Sequence, residues 1–102
     1  MDRRLETFLA VCQTMNYRRA AEALHLTQPA VTKQIQSLEA SFGVRLFSYD
    51  GRKLRKTAPG SALEVFAISQ RYQEQELERA LHAAPRKTLR VGATKTIGDY
   101  IL

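Results

Sequence analysis

The sequence predicts a mainly α-helical fold: a winged helix-turn-helix of three helices and a two-stranded β-hairpin wing, followed by a long dimerisation helix. Apolar residues recur at helical spacing in three successive segments of the first half. An Asp-Gly pair then separates two short strand-like runs, which is typical of a tight hairpin. Residues 58–84 finally form an amphipathic stretch with Pro59 in its first turn and Pro85 beyond its end.

The distribution of charge favours a polyanionic partner for the first half of the chain. The 102 residues carry a formal net charge of +6. Residues 1–57 hold 10 Lys and Arg against 5 Asp and Glu, whereas residues 58–102 hold 6 against 5. Because the excess is local, we expect nucleic acid or an anionic membrane surface to bind this half.

Several classes of function are disfavoured by what the sequence lacks. It has one cysteine, no Ser-His-acid set, no metal-ligand spacing and no Gly-rich phosphate loop, so we expect no enzyme, metal or cofactor. The two histidines, His25 and His82, lie in different segments with no motif around them. Without an apolar run of transmembrane length or a signal-peptide pattern, we expect a cytoplasmic protein that has no membrane partner.

Caps and apolar spacing predict the first two helices. Asp2 can cap a helix that runs to about Met15, and Asn16 can cap a shorter one from Tyr17 to about Leu24. The apolar face of the first helix consists of Leu5, Phe8, Leu9 and Cys12. This position favours a buried structural role for Cys12 over that of a redox sensor.

The third helix has the pattern of a recognition helix. Thr27 or Gln28 can cap it, and Gly43 can end it after Phe42. Its predicted buried stripe is Val31, Ile35, Leu38 and Phe42. The opposite face is polar and suited to base edges in the major groove, and it consists of Gln28, Pro29, Thr32, Lys33 and Gln36. Taken alone, this pattern favours an ordinary solvated surface, and it is the basic context that favours a reading face.

Basic residues around this helix are candidates for contacts with the DNA backbone. A predicted turn at Asp50-Gly51 joins the runs 46–49 and 52–56, and the second run is basic. The candidate backbone and wing contacts are Arg18, Arg19, Thr27, Gln34, Arg52 and Lys53.

The stretch 58–84 predicts a helix that packs on a partner helix. At alternating spacings of three and four, its seam reads Leu63, Phe66, Gln70, Gln73, Leu77, Ala80 and Ala84, flanked by Ala67 and Leu81. We therefore expect a DNA-binding domain over 1–58 and a dimerisation helix over 59–85. Residues 86–102, with a strand at 88–94, are expected to begin a further domain that is cut short.

Several motifs resemble the N-terminal part of LysR-type transcriptional regulators over about residues 3–68. They are YRRAAEAL at 17–24, LTQPAVTKQI at 26–35, LE at 38–39, Gly43, LF at 46–47 and TAPG at 57–60. The resemblance implies a regulator that binds a partly palindromic site in double-stranded DNA as a homodimer, often a tetramer when full length, with RNA polymerase as a further candidate partner. It also implies that a small co-inducer binds an effector domain, with Thr94 to Thr96 at the pocket's edge.

Three departures from the family pattern concern details of DNA contact. Arg18 stands where Ser or Thr is usual and adds a candidate phosphate ligand. Tyr49 stands where Arg is usual, and Lys56 where Leu is usual, which makes the second wing strand more basic. A nonspecific architectural DNA binder and a protein-interaction module built on the long helix are the alternative functions.

Overall fold

The computed structural model describes residues 1–83, and it places residues 1–71 in one compact unit and residues 72–83 in a second. The predicted domain boundaries at residues 58 and 85 stay predictions. The expected strand at 88–94, Ala84, Pro85 and the segment Thr94 to Thr96 lie outside the described residues.

The three helices begin at the predicted caps. They are α1 (Arg3–Thr14), α2 (Tyr17–Leu24) and α3 (Gln28–Phe42). Asp2 accepts a hydrogen bond from the Arg4 backbone N–H at 2.7 Å, Asn16 from that of Arg19 at 2.9 Å, and Thr27 from that of Ala30 at 3.2 Å. Each cap satisfies one of the backbone donors that a helix start leaves unpaired.

Left-handed residues end all three helices. Gly43 has φ +68° and ends α3, as predicted, while Met15 and His25 have φ +49° and +59° after α1 and α2. His25 is thus the C-cap of α2.

The wing is an antiparallel pair of β1 (Phe47–Asp50) and β2 (Lys53–Lys56). Asp50 lies opposite Lys53, so the turn residues are Gly51 and Arg52, and the predicted turn at Asp50-Gly51 is wrong by one position. Gly51 has φ +64° and Arg52 has no positive φ, which is typical of a type II′ turn with glycine first. Arg52 therefore lies at the tip of the wing.

One apolar core joins the helices to the wing. Its members with little or no exposure include Phe8, Leu9, Val11, Ala20, Ala21, Val31, Ile35, Leu38, Leu46 and Phe47. The Phe47 ring lies 5.4 Å from that of Phe8 and 6.2 Å from that of Tyr17, centroid to centroid. Cys12 is buried, as predicted.

The prediction that Phe42 is buried is wrong, because its side chain is 57% exposed. Helical spacing indicates which residues share a face, but it does not indicate how far the neighbouring elements extend along that face. Phe42 is the last residue of α3, directly before the left-handed Gly43.

A tight joint connects the wing to α4 (Ala58–Ala83). The Thr57 hydroxyl accepts from the Gly60 N–H at 3.0 Å and donates to the Arg45 carbonyl at 2.6 Å, while the Thr57 N–H donates to the Leu46 carbonyl at 3.1 Å. A Cβ on Gly60 would lie 2.1 Å from the Leu46 carbonyl oxygen. Only glycine allows this approach.

One residue of the predicted dimer seam belongs to the core of its own chain. Ala67 has no exposed surface in the single chain, so the prediction that it flanks a contact with a second chain is wrong. Leu63 is partly buried and packs against the same core. The spacing of residues along α4 cannot tell a face that packs internally from one that packs on a partner.

Candidate nucleic-acid interface

The predicted reading face of α3 forms one continuous surface, here called the central face. Gln28, Pro29, Thr32, Lys33 and Gln36 all line the same shallow concavity. Thr32 is partly buried and the other four are exposed. The face thus offers hydroxyl, amide and ammonium groups from the first two and a half turns of one helix.

A second surface, the wing-side groove, adjoins the central face through Gln28. It is lined by Met15, Asn16, Tyr17, Arg18, Gln28, Tyr49, Arg52 and Leu54. The fold therefore brings the start of α2, the start of α3 and the tip of the wing around one polar groove. This arrangement places Arg18 and Arg52, two predicted backbone contacts, beside the first predicted base contact.

Tyr49 was not among the predicted contacts, although it lines this groove and is 64% exposed. The sequence shows only that an aromatic residue stands in a basic hairpin. Its position depends on the strand register, in which Tyr49 pairs with Leu54.

Ion pairs separate the basic residues of the first unit into two groups. Arg45 lies 3.4 Å from Glu39, Arg55 lies 3.6 Å from Asp50, and the Lys56 ammonium lies 2.6 Å from the Glu64 carboxylate. Within residues 1–83, the ion pairs do not include the basic side chains of the candidate interface, namely Arg18, Arg19, Lys33, Arg52 and Lys53.

Lys56 has a carboxylate partner that the sequence pattern does not indicate. Its hydrogen bond to Glu64 raises the pKa of the ammonium and holds the charge at the base of the wing. The positive charge that Lys56 adds to the second wing strand is therefore offset by the Glu64 carboxylate. The free positive charge of the hairpin lies at its other end, on Arg52 and Lys53.

Two predicted backbone contacts use part of their polar atoms inside the fold. The Thr27 oxygen accepts from the Ala30 N–H, which leaves its hydroxyl proton able to donate. The Gln34 amide oxygen accepts from the Thr7 hydroxyl at 2.5 Å, which leaves its amide NH₂ as the donor. Arg19, at the start of α2, and Lys53, at the start of β2, are exposed.

The exposed apolar surface of α4 differs in part from the predicted seam. In the first unit Phe66 is 55% exposed, as a seam residue should be, and Gln70 is partly buried. Val65 and Ile68 are also exposed and were not predicted. In the second unit the predicted seam residues Leu77 and Leu81 are exposed. A helix with apolar residues on more than one side does not reveal from spacing alone which of them face the core.

Residues 1–83 lack two other kinds of feature. No cluster of three or more His, Cys, Asp or Glu side chains in this part could hold a metal ion. None of its helices is long and apolar enough to cross a membrane.

Residues 3–61 match the bacterial regulatory helix-turn-helix proteins of the lysR family. The chain belongs to this family. The match covers more than half of the chain and includes α1, α2, α3 and the wing. The LysR-type family consists of transcriptional regulators, which agrees with the prediction that the chain is not an enzyme.

Individual members of the LysR-type family are similar to this chain in sequence and structure. The RuBisCO operon transcriptional regulator of Allochromatium vinosum is 39% identical over 96% of this chain, which spans 33% of that regulator's length. A LysR-family regulator from Eggerthella lenta is 54% identical with a TM-score of 0.63, over 68% of this chain and 97% of that one. The DNA-binding domain of CbnR, crystallised with DNA, is 36% identical with a TM-score of 0.71, over 82% of this chain and 99% of that one. These likenesses confirm the predicted winged helix-turn-helix.

Proposed function

We propose that the chain is the DNA-reading part of a cytoplasmic transcriptional regulator that binds a specific, partly palindromic duplex site as a homodimer. In this proposal α3 enters the major groove with its central face toward the bases. The wing lies along the backbone or an adjacent minor groove, and Arg18 and Arg19 hold phosphates where α2 crosses the backbone.

The observation that carries the proposal is the placement of the unpaired cations. Arg18, Arg19, Arg52 and Lys53 flank a polar face on which Lys33 is the one charged residue, whereas the cations nearer the base of the wing are bound to carboxylates. Phosphate contacts position a protein on a duplex, and polar contacts to base edges specify sequence. An ordinary solvated helix face would not need such a frame, and a nonspecific binder would not need such a face.

The similarity to the CbnR DNA-binding domain, whose structure was solved with DNA, supports the same use of the surface here. Dimer formation is supported by the apolar side chains that α4 exposes, including Phe66, Leu77 and Leu81. A two-fold symmetric dimer would read two half-sites in inverted orientation, so the proposed dimer and the proposed palindromic site imply each other. Association into tetramers, contact with RNA polymerase and a co-inducer bound by an effector domain belong to the proposal for a longer protein.

Selection from a randomised duplex pool tests the proposal. We expect an inverted repeat to be enriched. By fluorescence anisotropy at about 150 mM salt, a scrambled duplex should bind more weakly by about 10³-fold. Equal affinity for both duplexes would overturn specific reading and would leave a general DNA binder.

Two variants test the separate parts of the proposal. Thr32→Ala should change base preference at particular positions of the selected site, by about 1–3 kcal/mol at the cognate base. Phe66→Asp should shift the chain toward monomer in sedimentation velocity, because a charge would enter an apolar contact. A dimer that persists in Phe66→Asp would place the contact elsewhere.

A further inference from the structure

A third surface lies on the other flank of α3 from the wing-side groove. It is a depression lined by Arg4, Ala30, Lys33, Gln34 and Ser37, here called the α1-side depression. It shares Lys33 with the central face, just as the wing-side groove shares Gln28. The central face is therefore bordered on both sides by surfaces that carry basic and polar side chains.

Side chains of α1 fix the orientation of the donors in this depression. Thr7 is 1% exposed, and its hydroxyl donates to the Gln34 amide oxygen, so the Gln34 NH₂ is the group left to interact outside the core. The Arg4 guanidinium donates to the Ser37 and Ser41 hydroxyl oxygens at 2.9 and 3.1 Å. Because the Ser37 oxygen accepts from Arg4, its own proton is available to a further acceptor.

The resulting donor set matches an anion rather than a base edge. The Gln34 amide, the Ser37 hydroxyl and the Lys33 ammonium supply donors, and none of the residues that line the depression is acidic. The Asp2 carboxylate lies 3.1 Å from the Arg4 guanidinium and offsets part of its positive charge. A phosphate oxygen, which accepts several hydrogen bonds, suits neutral donors that are held in place beside one full positive charge.

We propose that the α1-side depression binds a DNA backbone phosphate on the side of the major groove opposite the wing, and that Thr7 positions the Gln34 amide to donate to it. This inference rests on the proposed function. A helix in the major groove runs between two phosphate backbones. Arg18 and Arg52 in the wing-side groove can serve only one of them. The α1-side depression serves the other and so fixes the rotation of α3 in the groove.

The first test compares the same substitution at two positions of α3, with the selected and the scrambled duplex. Gln34→Leu removes the amide without changing the net charge and should weaken binding to both duplexes by about tenfold. The matched variant Gln36→Leu should instead change the ratio between the two duplexes. Equal binding of Gln34→Leu and the unaltered chain, which still discriminates between the duplexes, would overturn the inference and leave the proposed function intact. If the unaltered chain bound neither duplex, both this inference and the proposed function would be overturned.

The second test isolates the positioning role of Thr7. Thr7→Val should weaken binding to both duplexes by about threefold, and Thr7→Ser, which keeps the hydroxyl, should restore it. In a Gln34→Leu background, Thr7→Val should cause no further loss. Thermal melts establish that each variant is folded at the temperature of the measurement. A Thr7→Val effect that persists without the Gln34 amide would show a purely structural role and would overturn the positioning claim.

A scan of neutral methylphosphonate linkages locates the phosphate itself. One linkage per half-site should weaken the unaltered chain more than it weakens Gln34→Leu, which keeps the Lys33 ammonium and the Ser37 hydroxyl. An identical profile for the two proteins at every linkage would overturn the phosphate assignment. The linkage that responds to Arg52→Ala should lie on the opposite border of the same major groove.

Discussion

The base and the tip of the wing carry the same kinds of side chain and use them differently. At the base, Lys56 is paired with Glu64, and Arg45 with Glu39. At the tip, Arg52 and Lys53 lie in or beside the two-residue turn, and neither is part of an ion pair within residues 1–83. The count of charges in the sequence predicts a polyanionic partner, but the pairing of charges determines which surface is available to it.

One carboxylate at the base, that of Glu39, binds the backbone as well as a cation. Glu39 accepts from the Leu46 N–H at 2.8 Å, and its side chain is only 15% exposed. Thr57 binds the carbonyls of Arg45 and Leu46, so the segment before β1 is held from two sides. The base is thus a rigid joint, whereas the tip is a charged surface on a short turn.

The largest effect is expected from a methyl group at the base. Gly60→Ala would place a Cβ 2.1 Å from the Leu46 carbonyl oxygen, which forces α4 away from the core. We expect a loss of about 3 kcal/mol or more in the free energy of unfolding by denaturant titration. The matched change at the tip, Gly51→Ala, meets nothing within 4 Å and should cost only the strain of its positive φ, about 1–2 kcal/mol. Equal losses would contradict a rigid base.

Removal of the Thr57 hydroxyl should lower the free energy of unfolding by less than Gly60→Ala does, although it affects the same joint. Thr57→Val removes the cap of the Gly60 N–H and the donor to the Arg45 carbonyl, at a cost of about 1–2 kcal/mol in unfolding free energy. Thr57→Ser keeps both hydrogen bonds and should recover most of this stability. DNA affinity of the folded variant should change little, and a large loss of affinity would mean that the joint orients the tip.

The sequence predicts most of the fold because its signals are local. The caps at Asp2, Asn16 and Thr27 and the stop at Gly43 are encoded within one or two turns of each helix. The turn was misplaced by one residue because Asp-Gly and Gly-Arg are both compatible with a tight hairpin, and only the strand pairing decides between them.

The candidate site was predicted where it lies on one helix face and missed where it depends on distant parts of the chain. The five residues of the central face share one surface of α3, as spacing predicts. The roles of Tyr49, Arg4 and Ser37 require the register of the hairpin or the packing of α1 on α3. Likewise, no local pattern shows that Lys56 faces Glu64 or that Ala67 is internal.

Two arginines of the wing, Arg52 and Arg55, should differ in their contribution to DNA affinity. Arg52→Ala should weaken binding to selected and scrambled duplexes by about tenfold and reduce the salt slope by about one. Arg55→Ala should have a smaller effect, because Asp50 at 3.6 Å already offsets that charge. The measurement is anisotropy over a series of salt concentrations. A larger loss for Arg55→Ala would mean that the ion pair opens on DNA.

The smallest expected effect concerns Cys12, whose buried thiol is influenced by the charges of Glu64 and Lys56 at the base of the wing. Burial raises the pKa of the thiol from 9.0 to about 12, with a further upward contribution from Glu64 and a downward one from Lys56. The folded chain therefore keeps the thiol proton over a range in which the unfolded chain loses it. The associated stability is fully present below about pH 9 and declines as the pH rises toward 12.

This dependence is measurable near its onset. At pH 9.5 the unfolding free energy should be lower than at pH 7 by under about 1 kcal/mol, and Cys12→Ala should remove that part of the decline. Tyr17, whose pKa burial also raises to about 12, contributes mainly above pH 10, so the comparison is made below that value. An equal decline in Cys12→Ala would mean that other groups at the base of the wing carry the pH dependence. The thiol would then be only a packing residue.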